Sequence, residues 1–144
     1  MTANKRLEVF EVFEDFVKVK SRKEKINILK KHESWPLKDL LRGIFDDKIQ
    51  WNLPGGEPPY TPCSVGTPPS TFLKQNVNLK YFVKGVRDSE NMPAFKREKK
   101  FLDILETVHP EDAKLLVSMI NKQNPVKGLT KKLIQEAYPD LIPE

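Results

Sequence analysis

Apolar residues recur every three or four positions through most of the chain, which is the spacing of amphipathic α-helices. The clearest case lies in residues 37–45, where apolar side chains fall at i, i+3, i+4, i+7 and i+8. The pattern predicts helices over residues 5–20, 22–32, 35–45, 70–84, 93–108, 109–120 and 130–138. No segment is patterned as a β-strand. The sequence therefore predicts a mainly α-helical protein, with residues 1–144 forming a single compact domain of six or seven helices.

Residues suited to helix starts precede several of these segments. Ser21 and Glu24 form a capping-box pattern, in which each side chain accepts a hydrogen bond from the other residue's amide. Pro36 suits the first turn of the third helix, where its missing N–H has no helical partner. Thr130 is a good N-cap for the last helix. Capping residues and periodicity therefore predict the same helix boundaries.

The helical pattern stops over residues 46–69, where half of the chain's twelve prolines and three of its six glycines stand. Proline fixes φ and removes a backbone donor, and it pushes the preceding residue out of the helical region. A connection of this length without helix or strand indicates either a functional loop or a flexible linker. The sequence therefore predicts a long Pro/Gly-rich central loop that joins two helical halves.

The net charge of +5 is unevenly distributed along the chain. Seven basic residues stand against one acidic residue in positions 18–31: Lys18, Lys20, Arg22, Lys23, Lys25, Lys30 and Lys31. A second group lies where a glycine turn meets a helix start: Lys127, Gly128, Thr130, Lys131 and Lys132. Lysines that contact phosphates release counterions, and free amides at a helix start favour an anion. These residues are therefore predicted to bind nucleic acid; the alternative is that the lysines only hydrate an outer helix face.

Reactive side chains are few and scattered. The two histidines and the single cysteine show no spacing typical of a catalytic or zinc site, and His109 precedes a proline where helix capping explains it. Gly55 and Gly56 lack the further glycines and the Lys-Ser/Thr of a phosphate loop. The neighbouring Asp46 and Asp47 need additional ligands to hold magnesium. We therefore expect a protein that is not an enzyme and that binds neither a metal nor a cofactor.

The sequence also predicts where in the cell the protein is located. No apolar run approaches the roughly 18 residues needed to cross a bilayer. Residues 1–16 are acidic and amphipathic, without the basic-then-apolar order of a signal peptide. With Cys63 as its one cysteine, the chain forms no internal disulfide. These features predict a cytoplasmic protein without a membrane partner.

The central loop supports a second hypothesis. It carries two large aromatic residues, Trp51 and Tyr60, and the prolines Pro58 and Pro59 stand between them. Proline lowers the entropy lost when a loop docks on a partner, which suits a protein-contact surface. We therefore consider Trp51, Pro58, Pro59 and Tyr60 as a partner-binding set. The simpler alternative is a loop that only connects two helical halves.

Four segments occur in the order "GEPPYTP", "LKYFVKG", "KREKKFLDILETVHPEDAKLL" and "KGLTKKLIQEAYPDL". In these segments the chain resembles, over residues 20–142, an uncharacterised family of small proteins from large contractile-tailed (myovirus-type) bacteriophages. That family has no assigned activity, so no functional residue carries over. The resemblance implies a viral accessory protein made in the cytoplasm of an infected bacterial host.

Together these observations predict a non-enzymatic bacteriophage accessory protein. It is expected to associate with DNA or RNA, or with a nucleoprotein machine, through its basic helical faces. The alternative is a protein-interaction module or inhibitor that binds a host or phage protein through residues 51–60. Neither hypothesis involves a membrane or a small-molecule cofactor.

Overall fold

The computed structural model of the protein describes residues 7–142. Within them lie eight α-helices and one 3₁₀ helix. In chain order they are α1 (Val9–Lys18), α2 (Arg22–Lys31), α3 (Trp35–Phe45), α4 (Phe72–Gln75), the 3₁₀ helix (Asn76–Phe82), α5 (Arg87–Glu90), α6 (Ala94–Thr107), α7 (Pro110–Ile120) and α8 (Lys131–Ala137). The prediction of a mainly α-helical protein is confirmed. The predicted start of the first helix at residue 5 lies outside the described residues.

Helix starts follow the capping residues of the sequence. The Ser21, Ser34 and Thr130 hydroxyls each accept a hydrogen bond from an amide three residues ahead, at 3.1, 3.3 and 3.1 Å. At Ser21 the capping box differs in one detail. The Ser21 hydroxyl itself donates to the Glu24 carboxylate at 2.9 Å, whereas the motif predicts the Ser21 amide as donor. Local sequence therefore determines where α2, α3 and α8 begin.

One predicted helix, over residues 70–84, is divided between α4 and the 3₁₀ helix. Asn76, Val77 and Asn78 follow one another at the division, and all three residue types have low helix propensity. The Asn76 amide donates to the Asp39 carboxylate of α3 at 3.0 Å. Weak propensity and this tertiary bond together explain the tighter 3₁₀ turn. A further helix absent from the prediction, α5, occupies the polar connection that follows.

Residues 46–71, between α3 and α4, contain no helix and lie against the rest of the molecule. Their backbone is bonded at several points along its length. The Asn52 amide donates to the Phe82 carbonyl at 2.6 Å, and the Gly56 amide donates to the Asn121 side chain at 2.7 Å. The Thr61 amide donates to Glu106 at 2.8 Å. The segment is thus attached to the 3₁₀ helix, α6 and α7.

A single cluster of buried apolar side chains draws members from every described helix except α5. Within it, α7 packs against both α3 and α6. Gly43 of α3 faces this cluster, because a Cβ at that position would come within 2.5 Å of the Trp51 ring and 2.6 Å of Met119. Only a residue without a side chain allows α3, Trp51 and α7 to approach so closely.

None of the helices within residues 7–142 has both the length and the apolar character needed to span a bilayer. The longest, α6, alternates charged and buried positions around its axis. Its Arg97 points inward and is only 9% exposed. The guanidinium donates to three backbone carbonyls, those of Asn52, Ser89 and Met92, at 2.6, 3.0 and 2.8 Å. It joins residues 46–71, here called the central segment, to α5 and α6.

Candidate nucleic-acid interface

The two basic segments of the sequence lie side by side in the fold, because α2 packs against α8. The Tyr138 hydroxyl at the end of α8 donates to the Leu29 carbonyl of α2. Arg22 of α2 and Glu136 of α8 form an ion pair. A Cβ on Gly128 would lie only 3.4 Å from the Lys25 side chain. Segments about a hundred positions apart in sequence therefore share one surface, here called the basic face (residues 18–31 and 127–137).

The charge of the basic face differs in sign from that of the remaining chain. Its two segments hold ten basic and two acidic residues, a net charge of +8. The rest of the chain holds 15 basic and 18 acidic residues, a net charge of −3. The exposed lysines on the basic face are Lys18, Lys20, Lys23, Lys30, Lys31, Lys127 and Lys132. A molecule with a modest net charge therefore carries a strong local positive field.

Lys25 has a structural role that the sequence did not reveal. Its ammonium donates to the Phe16 carbonyl at 2.9 Å and lies 4.6 Å from the centre of the Phe16 ring. That carbonyl is in the last turn of α1, where no helical amide remains to pair with it. Lys25 thus closes the end of α1 against α2. The phosphate contact of its ammonium stays a prediction, with one N–H already engaged by the Phe16 carbonyl.

Three further residues of the predicted site mainly stabilise the local structure of the basic face: Arg22, Gly128 and Thr130. Arg22 is half-exposed, but its ion pair with Glu136 offsets part of its charge. Gly128 has φ of +85°, a conformation that favours glycine, and the Lys25 stem packs beside it. The Thr130 hydroxyl is occupied as the N-cap of α8. These three residues hold the turn in place, whereas the exposed lysines remain the groups available to an anion.

An exposed tryptophan, Trp35, stands four positions after the end of α2, at the first position of α3. The side chain is 67% exposed. The Lys38 ammonium lies 5.0 Å from the Trp35 ring and 5.4 Å from the Tyr138 ring. These residues line an open cleft of about 680 Å³ that also includes Arg42 and Pro139. Sequence reasoning assigned Trp35 only to a helix start, although a tryptophan close to a basic helix was a signal available in the sequence.

The central segment provides the second candidate surface, but without Trp51. Trp51 is only 8% exposed, and its Nε1 donates to the Gly43 carbonyl at 3.0 Å. The prediction of Trp51 as a partner contact is therefore wrong, because the indole fills the core between α3 and α7. Pro59 is exposed and Tyr60 is half-buried. Burial, and next the charge of Glu57, raise the pKa of the Tyr60 hydroxyl.

Two of the side chains considered for chemistry, His109 and Cys63, have structural partners. His109 caps α7, with Nδ1 accepting from the Glu111 amide at 3.0 Å, and its ring stacks on Phe10 at 4.0 Å. The Cys63 thiol donates to the Val108 carbonyl at 2.9 Å. No group of three or more His, Cys, Asp or Glu side chains suited to a metal ion occurs within residues 7–142.

Asp112 lies in the first turn of α7, where an acidic residue suits the helix start, yet its hydrogen-bond partner is on another helix. Its side chain is fully buried, and Oδ1 accepts from the Phe10 amide in the first turn of α1 at 2.9 Å. Its other oxygen has no hydrogen-bond partner in the described part of the chain. Burial raises the pKa of this carboxyl to about 7. Asp112 therefore attaches α1 to α7 at an electrostatic cost.

No curated protein matches the chain. The model of a family of unknown function, DUF6433, matches residues 12–125, a range that includes α2 but ends before the second basic segment. The description of that family names neither an activity nor a source. Because the match covers most of the sequence, the chain belongs to the DUF6433 family of unknown function.

Proposed function

We propose that the protein is a non-enzymatic accessory protein that binds nucleic acid, or a nucleoprotein machine, through the basic face. The observation that carries this proposal is the separation of charge, +8 on the basic face and −3 on the remaining chain. The resemblance to a bacteriophage family extends the proposal to a phage protein that acts in the cytoplasm of an infected bacterium. The central segment remains the alternative contact surface.

Charge separation of this kind favours a polyanionic partner for a physical reason. Each lysine that neutralises a phosphate releases condensed counterions, and this release drives association without reading base sequence. Five exposed lysines lie on α2 or just before it, and two more lie on the adjoining turn and α8. The acidic remainder of the molecule is repelled by phosphates, so it favours a single binding orientation. The proposal is therefore sequence-independent binding through one surface.

We expect the salt dependence of binding to identify the basic face. Lys23→Gln with Lys30→Gln removes two exposed charges from α2, and Lys127→Gln with Lys132→Gln removes two from the second segment. Each double variant should make the slope of log K against log salt shallower by about 1 to 2, because each lost phosphate contact contributes about 0.9 on duplex DNA. Fluorescence anisotropy with a labelled oligonucleotide, repeated over a series of salt concentrations, gives this slope.

A charge-matched variant controls for net charge alone. Lys74→Gln with Lys96→Gln removes the same two charges from exposed positions outside the basic face. This control should keep the wild-type slope. Equal slopes for all the variants would show that the basic face is not the binding surface. The absence of any binding to DNA and RNA at low salt would contradict the proposed function itself.

A second candidate function, protein binding through the central segment, is supported by an apolar pocket. The pocket has a volume of about 200 Å³ and is lined by Leu53, Pro58, Pro59, Phe101 and Leu102. Glu57 and Glu98 also line it. Apolar pockets with a few polar groups are typical contact points for a partner side chain. The acidic lining favours a partner segment with an apolar side chain next to a basic one.

Affinity isolation from phage-infected bacteria tests this second candidate. Tyr60→Ala, at a half-buried position of the loop, should reduce recovery of a partner that binds there, because it removes the aromatic contact beside Pro59. Ser64→Ala, also on the central segment and exposed, is the matched control and should recover the same partner. Equal recovery from both variants would remove the loop from consideration.

A further inference from the structure

The two tryptophans of the chain lie in opposite environments. Trp51 is 8% exposed and hydrogen-bonded in the core, whereas Trp35 is 67% exposed at the start of α3. Large aromatic side chains contribute strongly to burial, so an indole held in solvent forgoes that stabilisation. Nothing in the packing of α3 requires an indole at position 35, because the buried residues of this helix begin at Pro36. The exposed ring is therefore available for contact with a ligand.

The Trp35 ring is held in place by its neighbours. Lys38 lies one turn further along α3, 5.0 Å from the centre of the Trp35 ring. Lys38 is itself fixed by an ion pair with Glu33 and by the Tyr138 ring, and only 19% of its side chain is exposed. A cation above one part of an aromatic ring stabilises that orientation. The ring thus presents a fixed apolar surface to solvent, which lowers the entropy cost of binding.

Trp35 also lies within reach of the basic face. Lys31, the last residue of α2, is four positions earlier, so the two Cα atoms are separated by at most about 14 Å. Lys30 and Lys31 are exposed. A flat aromatic ring beside exposed ammonium groups is the arrangement that binds single strands, in which a base stacks on the ring and phosphates meet the cations.

The other charges near Trp35 indicate the direction of such a strand. Glu33 is paired with Lys38, and Arg42 is paired with Asp39 at 3.4 Å, so neither carboxylate acts alone. Asp46 caps the far end of α3, about 16 Å from Trp35 along the helix. Asp140 also lines the cleft. Because these last two carboxylates repel phosphate, a strand stacked on Trp35 continues towards α2 and away from the far end of α3.

We propose that Trp35 is a stacking site for an unpaired base, and that the basic face therefore takes single-stranded nucleic acid in preference to duplex. The inference rests on the proposed function, since the lysines supply the phosphate contacts. To that function it adds the class of nucleic acid that is bound, a single strand. In a duplex the bases are paired and stacked on one another, so their faces are not available to a side chain. A single strand offers both a free base and phosphates.

The test compares two strands of equal charge. One is an oligodeoxythymidylate about 16 nucleotides long, and the other is an abasic strand with the same number of phosphates. The wild-type protein should bind the intact strand about 5- to 150-fold more tightly, which is the range that base stacking on one aromatic side chain supports. Binding should also quench tryptophan fluorescence, and the quenching reports Trp35 because Trp51 is buried.

Two variants distinguish the effect of the aromatic ring of Trp35 from the effect of its apolar bulk. Trp35→Leu keeps an apolar side chain but removes the aromatic face, so it should bind both strands equally while the salt slope stays at the wild-type value. Trp35→Phe restores an aromatic ring and should recover part of the preference for the intact strand. Thermal unfolding of both variants should match the wild-type protein, because position 35 lies outside the core.

The outcomes distinguish this inference from the proposed function. Equal wild-type affinity for the intact and abasic strands, with a steep salt slope, would overturn the stacking site and leave the proposed function standing. Tighter binding of a duplex of the same length than of the single strand would also overturn it. A Trp35→Leu variant that kept the full preference for bases would show that the base lies elsewhere. No binding of either strand at low salt would contradict both proposals.

Discussion

Replacing Trp51 by alanine is expected to lower the free energy of unfolding by about 3–5 kcal/mol. The indole and the Met119 side chain both pack against Gly43, and loss of the indole leaves a cavity that α3 and α7 cannot fully close. It also leaves the Gly43 carbonyl, in the last turn of α3, without the indole N–H that now pairs with it. Both effects act in the same direction, so the cost lies in the upper range for a core substitution.

Urea denaturation followed by circular dichroism measures this change. Trp35→Ala is the matched control, because it removes the same side chain from the surface. Its cost should stay below about 1 kcal/mol, the size of an exposed cation–π contact with Lys38. Similar losses for both variants would contradict the assignment of Trp51 to the core and of Trp35 to the surface. The large loss expected for Trp51→Ala also makes that variant unsuitable for testing a partner contact.

The second large effect is a dependence of stability on pH that arises from Asp112. Burial raises the pKa of this carboxyl in the folded protein to about 7, whereas an unfolded chain has a value of about 3.9. Between these values the folded protein binds more protons than the unfolded chain. The free energy of unfolding therefore decreases as pH rises, by roughly 2–3 kcal/mol between pH 5 and pH 8. The stabilisation is complete below the unfolded pKa and is lost as pH passes through about 7.

Asp112→Asn should remove this dependence. The amide oxygen of asparagine still accepts from the Phe10 N–H, but the side chain does not ionise. The stability difference, variant minus wild type, should therefore increase by roughly 2–3 kcal/mol from pH 5 to pH 8. Denaturant titrations at several pH values between these limits provide the measurement.

The acidic residues around Asp112 provide a control variant for the pH experiment. Glu8 and Glu11 of the α1 start, and Glu111 beside it in α7, all raise the pKa of Asp112 and add to the effect of burial. Glu111→Gln changes an exposed member of this group, which forms an ion pair with Lys114 at 3.0 Å. Because exposed pairs contribute little, its stability should follow the wild-type curve to within about 1 kcal/mol. Parallel curves for Asp112→Asn and wild type would contradict the assignment.

Local features of the fold were predictable from sequence because their causes are local. The hydroxyls of Ser21, Ser34 and Thr130 cap the helices that periodicity indicated. The split of the fourth predicted helix was not predicted, because the bond from Asn76 to Asp39 joins residues 37 positions apart. The buried guanidinium of Arg97 depends in the same way on carbonyls from the central segment and α5. Sequence shows only a basic cluster there.

The candidate site shows the same division between local and tertiary information. Each basic segment was visible in the sequence as a concentration of lysines. The packing of the two segments against each other depends on tertiary contacts such as that between Tyr138 and Leu29. The sequence analysis proposed Trp51 as a partner contact and gave Trp35 no binding role, whereas the structure buries Trp51 and exposes Trp35. Proline and glycine around Trp51 suggested an exposed loop, yet burial is set by the space that Gly43 leaves for the ring. Trp35 opens a regular helix pattern and was interpreted only as part of a helix start, although the basic helix close to it was a signal in the sequence.

The opposite charges of the basic face and the remaining chain have a consequence for any assembly. If many copies coat one strand, each turns its positive side inward and its carboxylates outward. Coated strands then repel each other, whereas a uniformly cationic coat would bridge and condense them. The outer layer would instead attract a cationic second component. A coat of this protein would therefore keep strands dispersed.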